Sequence, residues 1–380
     1  QLMPIGVVVP KCDDDVEAAI KIAREEGVSV LPRGSGTSQN GQAIGESLLI
    51  DTTRHLNQVI GFDTENRTAC VQPGLVLDHL NRCLKPHGLF YPVDVSTANR
   101  ATLGGMTGNN SCGARSIRYG NMVHNVLSVE ALLADGSKAH FKKLNGDPAN
   151  GNVPPELVQQ LLSLGERESE EIVKRFPKLL RRVGGYNIDE LTKDVPNLGR
   201  LLVGSEGTLG FFQRIHLQLQ PIPSEKVLGV CHFPTFYEAM ESTQHIVKLD
   251  PDAVELVDRT MIDLARAIPM FTSTVNRFVQ GEPDALLLVE FAGDSREEQL
   301  TRLAGLVELM EDMGFPNAVV EATDNEFQPA VWEVRKQGLN IMMSMKGDGK
   351  PISFIEDCAV DLKDLAEYTS RLTEIFEKNG

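Results

Sequence analysis

Closely spaced cysteine pairs are absent from this sequence. Its six cysteines, Cys12, Cys70, Cys83, Cys112, Cys231 and Cys358, stand singly. That excludes zinc knuckles and Cys-ligated iron–sulfur clusters built within the chain. Scattered single thiols fit a reducing cytoplasm. Long apolar runs are absent too, and none approaches the roughly 20 residues of a transmembrane helix. The opening QLMPIGVVVP has neither a basic start nor a long apolar core, so it does not read as a signal peptide. It also lacks an initiator Met, which reads as a chain beginning inside a longer protein. Positive charge is in deficit: 37 Lys and Arg face 53 Asp and Glu, a net charge of −16. This excludes a nucleic-acid backbone as partner and disfavours an anionic membrane surface. The two familiar nucleotide cradles are missing. RGSGTS is not GxGxxG between strand and helix, and no glycine loop carries the GK[ST] of a Walker A segment.

What is present is a globular composition, 41% hydrophobic and 24% charged over 380 residues, a length that predicts two domains. Asp13-Asp14-Asp15 opens an amphipathic helix with the stripe Val16, Ala19, Ile20 and Ala23, closed by Gly27. Strands are expected at 28–31 and 48–51, and a hairpin from 58–63 and 68–72. Leu77, Leu80 and Leu84 share one face of a helix ending near Gly88. Residues 126–133 and 138–141 flank the hairpin signal Asp135-Gly136. Residues 145–200 read as partly helical, with Pro154-Pro155 as a break. Ile215, Leu217 and Leu219 alternate with polar neighbours, as a strand requires. Pro221-Ile222-Pro223 reads as a domain boundary. Beyond it, strands at 227–233, 285–291, 318–322 and 352–355 alternate with helices at 235–249, 296–313, 325–345 and 361–378. This is a ferredoxin-like α+β layout, with helices expected on one face of a sheet.

Three glycine-rich segments lie in the first half, at 32–45, 101–120 and 204–210. The second, ATLGGMTGNNSCGARSIRYG, holds five glycines and Asn109-Asn110. Gly and Asn favour left-handed and irregular backbone, so this run reads as neither good helix nor good strand. Exposed backbone N–H groups suit phosphates. One such turn is weak as a signal. Three hinged on strands favour a single extended ligand touching all of them, and a dinucleotide is long enough.

Seven segments in order carry a resemblance: VLPRGSGTS, LLIDTTRHLN, CVQPG, STANRATLGGMTGNNSCGARSIRYG, LLADG, GYNIDEL and LLVGSEGTLG. Together they resemble the vanillyl-alcohol-oxidase-like flavoproteins with a PCMH-type FAD-binding domain. WEVRKQGLN and FIEDCAV resemble the C-terminal cap of the glycolate oxidase, D-lactate dehydrogenase and D-2-hydroxyglutarate dehydrogenase branch. Within that branch the chain looks most like the large bacterial D-2-hydroxyglutarate dehydrogenases that fuse a flavin domain to an iron–sulfur domain. The resemblance implies an α+β fold. Residues 1–223 would be a two-lobed FAD-binding domain, with lobes of about 1–75 and 76–223. Residues 224–380 would be a partial ferredoxin-like cap.

The resemblance also implies site residues. Pro32, Arg33, Gly34, Ser35, Gly36, Thr37 and Ser38 would form the pyrophosphate loop, with Gln42 beside it. Asp94 and Ser96 would lead into a second wall of Thr102, Gly104, Gly105, Gly108, Asn109, Ser111, Cys112, Gly113, Ser116, Ile117 and Tyr119. Glu206, Gly207, Leu209 and Gly210, with Ile215, would meet the adenine end. The stretch from Ser35 to Gly45 contains no His, so the FAD is expected to be non-covalent. In the cap, Arg335 matches a clamp for the substrate carboxylate. The bland alternative is an Arg at the edge of the stripe Trp332, Leu339 and Met342, or one paired with an acid such as Glu326. Lys350 matches a second carboxylate contact and reads equally well as a solvated lysine. Tyr186 and Asn187 resemble active-site residues from the FAD side, or a buried Tyr with its hydroxyl satisfied. Glu356 and Asp357 read as supporting acids or as a strand-end pair. His55 reads as a surface residue and His124 as structural.

The branch's GHxGDGNxH-like stretch, which supplies a divalent metal site or a base, would follow beyond Gly380. No metal ligands are therefore expected in this chain. A metal and an iron–sulfur module would belong to a longer protein. The implied activity is FAD-dependent oxidation of a D-2-hydroxy acid, D-2-hydroxyglutarate first, with an electron acceptor other than NAD. D-lactate, glycolate, a flavin module without turnover and a sugar-linked FAD enzyme are the alternatives. The cap segments speak against the last. The implied location is cytoplasmic, or peripheral at a membrane through an electron-transfer partner. The oligomeric state is not readable.

Overall fold

The computed structural model describes residues 2–145, 152–179, 181–343 and 358–379, with the backbone alone for Leu339 and Met343. The chain divides into two compact units, Gln1–Ile222 and Pro223–Gly380.

The first unit opens with β1 (Gly6–Val8), α1 (Asp13–Glu25), β2 (Val30–Arg33) and β3 (Leu48–Asp51). β3 lies between β1 and β2 and runs parallel to both. Three aspartates fill the first turn of α1, where they oppose the positive end of the helix dipole. Val16, Ala19, Ile20 and Ala23 are its buried stripe. Next come β4 (Val59–Asp63), β5 (Thr68–Val71), α2 (Leu77–Leu84), β6 (Leu89–Phe90), α3 (Leu103–Asn109), α4 (Ser116–Tyr119) and α5 (Met122–Asn125). The unit ends with β7 (Val126–Leu132), β8 (Lys138–Phe141), α6 (Pro155–Arg167), α7 (Ser169–Arg175), α8 (Leu198–Leu202), β9 (Phe211–Gln218) and β10 (Gln220–Pro221).

An antiparallel sheet of order β4-β5-β9-β7-β8 dominates this unit. One face is apolar because its strands alternate. Val129 and Ala131 of β7 and Ile215 and Leu217 of β9 meet Leu77, Leu80 and Leu84 of α2 in the main core. A smaller cluster joins Val16, Ala19 and Ile20 of α1 to Ile50, Leu56, Leu132 and Phe211 and so ties the two sheets together. β4 and β5 hydrogen-bond into the five-stranded sheet. Cross-strand pairing with β9, far along the chain, thus places β4 and β5 in the sheet that residues 126–141 and 211–218 also build.

The second unit contains β11 (Glu225–Phe233), α9 (Phe236–Ile246), β12 (Ala253–Asp258), α10 (Arg259–Ala267), α11 (Pro269–Phe278) and β13 (Ala285–Gly293). It continues with α12 (Arg296–Asp312), β14 (Val319–Ala322), α13 (Phe327–Lys336), α14 (Gly338–Met343) and α15 (Leu365–Asn379). Its sheet is antiparallel, of order β12-β13-β11-β14. Helices cover both faces, not one. Leu286 and Leu288 of β13 pack with α10, α11 and α13, while Leu287, Val289 and Phe291 pack with α9 and α12. The unbroken run ALLLVEF is the local signature of such a strand, buried on both sides. The expected strand at 352–355 lies outside the described residues. Among the described residues no helix is long and apolar enough to cross a membrane.

Candidate cofactor cleft and carboxylate clamp

The three glycine-rich segments converge on one cleft in the first unit. Pro32, Arg33, Gly34 and Gln42 line one side, Gly104, Gly105 and Gly108 another, and Glu206, Gly207 and Gly210 a third. Thr52, Pro73, Phe211 and Phe212 complete the lining.

Each segment is drawn in by close backbone packing. A Cβ on Gly34 would overlap the hydroxyl of Thr102. Gly104 sits against Pro73, whose Cβ and carbonyl O would lie 2.6 and 2.8 Å from an added methyl. The 204–210 turn is tied to the end of α3 by Gly204 N–H to Thr107 O and Glu206 N–H to Gly108 O, both 2.9 Å. Here the reading of 101–120 as non-helical is corrected. Leu103 to Asn109 form α3, N-capped by Thr102, and short helices α4 and α5 follow. Glycine's poor helix propensity is outweighed because only a side-chain-free helix can approach Pro73 so closely.

The cleft keeps unused polar groups. Arg33 Nε and Gln42 Oε1 are buried without a hydrogen-bond partner. Among the described residues, no backbone N–H from Gly34 to Ser38 has a backbone acceptor. Buried polar groups are normally paired, so orphans around one cavity mark a place for a polar ligand. Guanidinium and backbone N–H donors suit a phosphate. The glycine walls admit a group that approaches backbone, and the donors fit the diphosphate of FAD. Glu206 adopts φ +50°, and its carboxylate accepts from Asn109 Nδ2 at 3.0 Å. Desolvation in the cleft raises its pKa, while hydrogen bonds from Asn109 and Gln42 oppose the shift.

The remaining expected cofactor residues lie outside this lining. Ser35 donates to Arg100 O at 2.5 Å, and Gly36, Thr37 and Ser38 continue the loop. Asp94 anchors a neighbouring wall. It accepts from Arg115 N–H at 3.0 Å and from its guanidinium at 2.7 Å. Burial raises the Asp94 pKa, and Arg115 draws it back down. Gly113 packs so close beneath Asp94 that no side chain fits. Gly113 N–H bonds Ser116 Oγ, Ser111 Oγ bonds Asn109 Oδ1, and the Tyr119 ring meets Phe90 edge-on. Ser96 is exposed, while Cys112 and Ile117 are half-buried. Ile215 is fully buried in the core, because alternation along β9 puts it beside Leu217. Leu209 faces solvent.

Tyr186 is exposed, with its hydroxyl 2.8 Å from Thr208 Oγ1. Asn187 is buried and spends its amide on Val203 O and Arg182. These bonds brace the 182–187 turn. In the second unit, Arg335 on α13 pairs through Nη2 with Glu255 Oε2 at 2.7 Å. The partner acid is thus on β12, an element not read from the sequence, and not Glu326. Arg335 Nε is buried without a partner. Lys350, Glu356 and Asp357 lie outside the described residues. His124 Nδ1 accepts from Asn121 N–H and closes a capping box.

This geometry defines a class, a flavin-binding domain joined to an oxidase cap. Residues 4–142 match the FAD binding domain family, and residues 222–380 match the C-terminal domain family of FAD linked oxidases. The chain belongs to the FAD-linked oxidase family. It is 32% identical to a D-2-hydroxyglutarate dehydrogenase of Pantoea ananatis and 30% identical to one of Escherichia coli. Each match covers 100% of this chain and 39% of the relative. The chain thus spans about two fifths of the length of these relatives. A solved alkyldihydroxyacetonephosphate synthase shares the fold, with a TM-score of 0.63 at 18% identity over 89% of this chain and 55% of that one.

Proposed function

We propose that this chain is the flavin-binding and substrate-recognising part of a D-2-hydroxy-acid dehydrogenase, acting first on D-2-hydroxyglutarate. The observation that carries the reading is the convergence of three glycine segments on one cleft holding the unpaired Arg33 Nε and Gln42 Oε1. The D-2-hydroxyglutarate dehydrogenases similar to this chain along its whole length support the substrate.

In this reading the donors of residues 33–38 hold the diphosphate, and Gly104, Gly105 and Gly108 let the cofactor lie against backbone. No His stands between Ser35 and Gly45 to tether it, so binding is non-covalent. Bound FAD supplies the acceptor for the hydride from the C2 of the hydroxy acid. Residues 223–380 form the substrate domain. Glu255 fixes one edge of the Arg335 guanidinium and leaves the buried Nε edge for a substrate carboxylate. Lys350 is the proposed contact for the second carboxylate of a diacid. The electron acceptor is a carrier other than NAD.

The test takes the chain in its complete gene product, loaded with FAD. Anaerobic D-2-hydroxyglutarate is expected to bleach the oxidised flavin spectrum, faster than D-lactate or glycolate. Arg335→Lys is expected to raise KM by about tenfold or more, through loss of the planar fork. Failure of all three acids to bleach a bound flavin would overturn the substrate class, and failure to bind flavin would overturn the cofactor site.

A further inference from the structure

The outer face of the five-stranded sheet carries a cluster that the flavin reading does not use. Glu130 on β7, His140 on β8 and His216 on β9 stand side by side across three strands. Register pairs Glu130 directly with His140 and places His216 opposite Ser128, beside the β7 bulge. Each residue offers one ligand atom, and these atoms all lie within 4.8 Å of one another. His216 Nε2 is 3.1 Å from Glu130 Oε1 and 3.8 Å from Cys70 Sγ on β5. The two imidazoles stack with centroids 5.2 Å apart and planes 25° from parallel.

We propose that Glu130, His140 and His216 form a binding site for a divalent transition-metal ion, zinc being the best fit. Two imidazoles and one carboxylate are a common zinc donor set. Tetrahedral zinc with bonds of about 2.0–2.3 Å separates its ligand atoms by about 3.3–3.8 Å; here His216 Nε2 and Glu130 Oε1 stand 3.1 Å apart and all three ligand atoms lie within 4.8 Å. The site is reachable from solution, since the side chains of His216 and Glu130 are 29% and 42% exposed. Arg214, two residues before His216 on β9, is already paired with Asp13 at 2.7 Å. An ion here would staple β7, β8 and β9 together, and none of its three ligands lines the cofactor cleft.

The experiment uses the purified 380-residue chain, stripped of metal with a chelator and titrated with Zn²⁺ by calorimetry. One ion per chain is expected to bind and to raise the unfolding temperature. His140→Asn and His216→Asn, which keep hydrogen-bonding side chains, are expected to abolish both effects. Glu130→Gln, nearly isosteric and partly exposed, is expected to weaken binding at least about tenfold and keeps the test open should a His variant misfold. Co²⁺ is expected to give the intense ligand-field bands of four-coordinate geometry in wild type and to lose them in the three variants. Equal stoichiometry and affinity in wild type and variants, or no binding by wild type, would overturn the site.

Discussion

His232 on β11 is a neutral imidazole held at both nitrogens. Nδ1 lies 3.0 Å from the carbonyls of Val230 and Ala318, and Nε2 accepts from the Gln280 N–H at 3.0 Å. Protonating Nε2 would set N–H against N–H. Burial lowers the His232 pKa, although the carbonyls of Ala318 and Val230 pull it upward. A folded pKa below the unfolded value of about 6.5 contributes stability that is present above that value. The contribution is lost as pH falls through the folded pKa. Thermal unfolding is therefore expected to shift to lower temperature as pH drops below about 6.5. His232→Asn is expected to flatten that slope. His124, whose pKa burial and nearby cations also lower, leaves a residual slope of the same sign. An unchanged slope in the variant would contradict the argument.

At the scale of elements, α3 sets propensity against packing. Replacing an exposed helical Gly with Ala usually stabilises by up to about 1 kcal/mol. Gly105 is such a position, since an added methyl meets only Thr102 Oγ1 at 3.2 Å. Gly104 is not, because its methyl would strike the Pro73 backbone, which cannot rotate away. Packing wins there, and Gly104→Ala is expected to cost about 1–3 kcal/mol. Gly105→Ala is expected to be neutral or slightly stabilising. Denaturant unfolding of the two variants without flavin checks the contrast, and equal stabilities would refute it.

At the scale of the molecule, every residue lining the cleft belongs to the first unit. Ligand binding stabilises the elements it touches by mass action. Saturating FAD is expected to slow amide exchange at 33–38 and 204–210 and to leave the centres of β11 and β13 unchanged. Exchange measured by mass spectrometry reads this directly. Protection confined to the second unit would place the cofactor elsewhere.

The sequence by itself determined what depends on near neighbours. The aspartate-led stripe of α1, the Asp135-Gly136 turn and the period-2 run of β9 are written in residues a few positions apart. So are the glycine segments, whose small size matters wherever backbone must approach something closely. Tertiary structure decided what depends on residues brought from afar. It turned 103–109 into a helix because Pro73 requires a bare surface there. It gave Arg335 its partner Glu255, 80 positions away in the chain. It set Glu130, His140 and His216 side by side, although their spacing resembles no metal motif. Strand register, not local periodicity, chooses such neighbours, and register is fixed only when the whole sheet closes on its core.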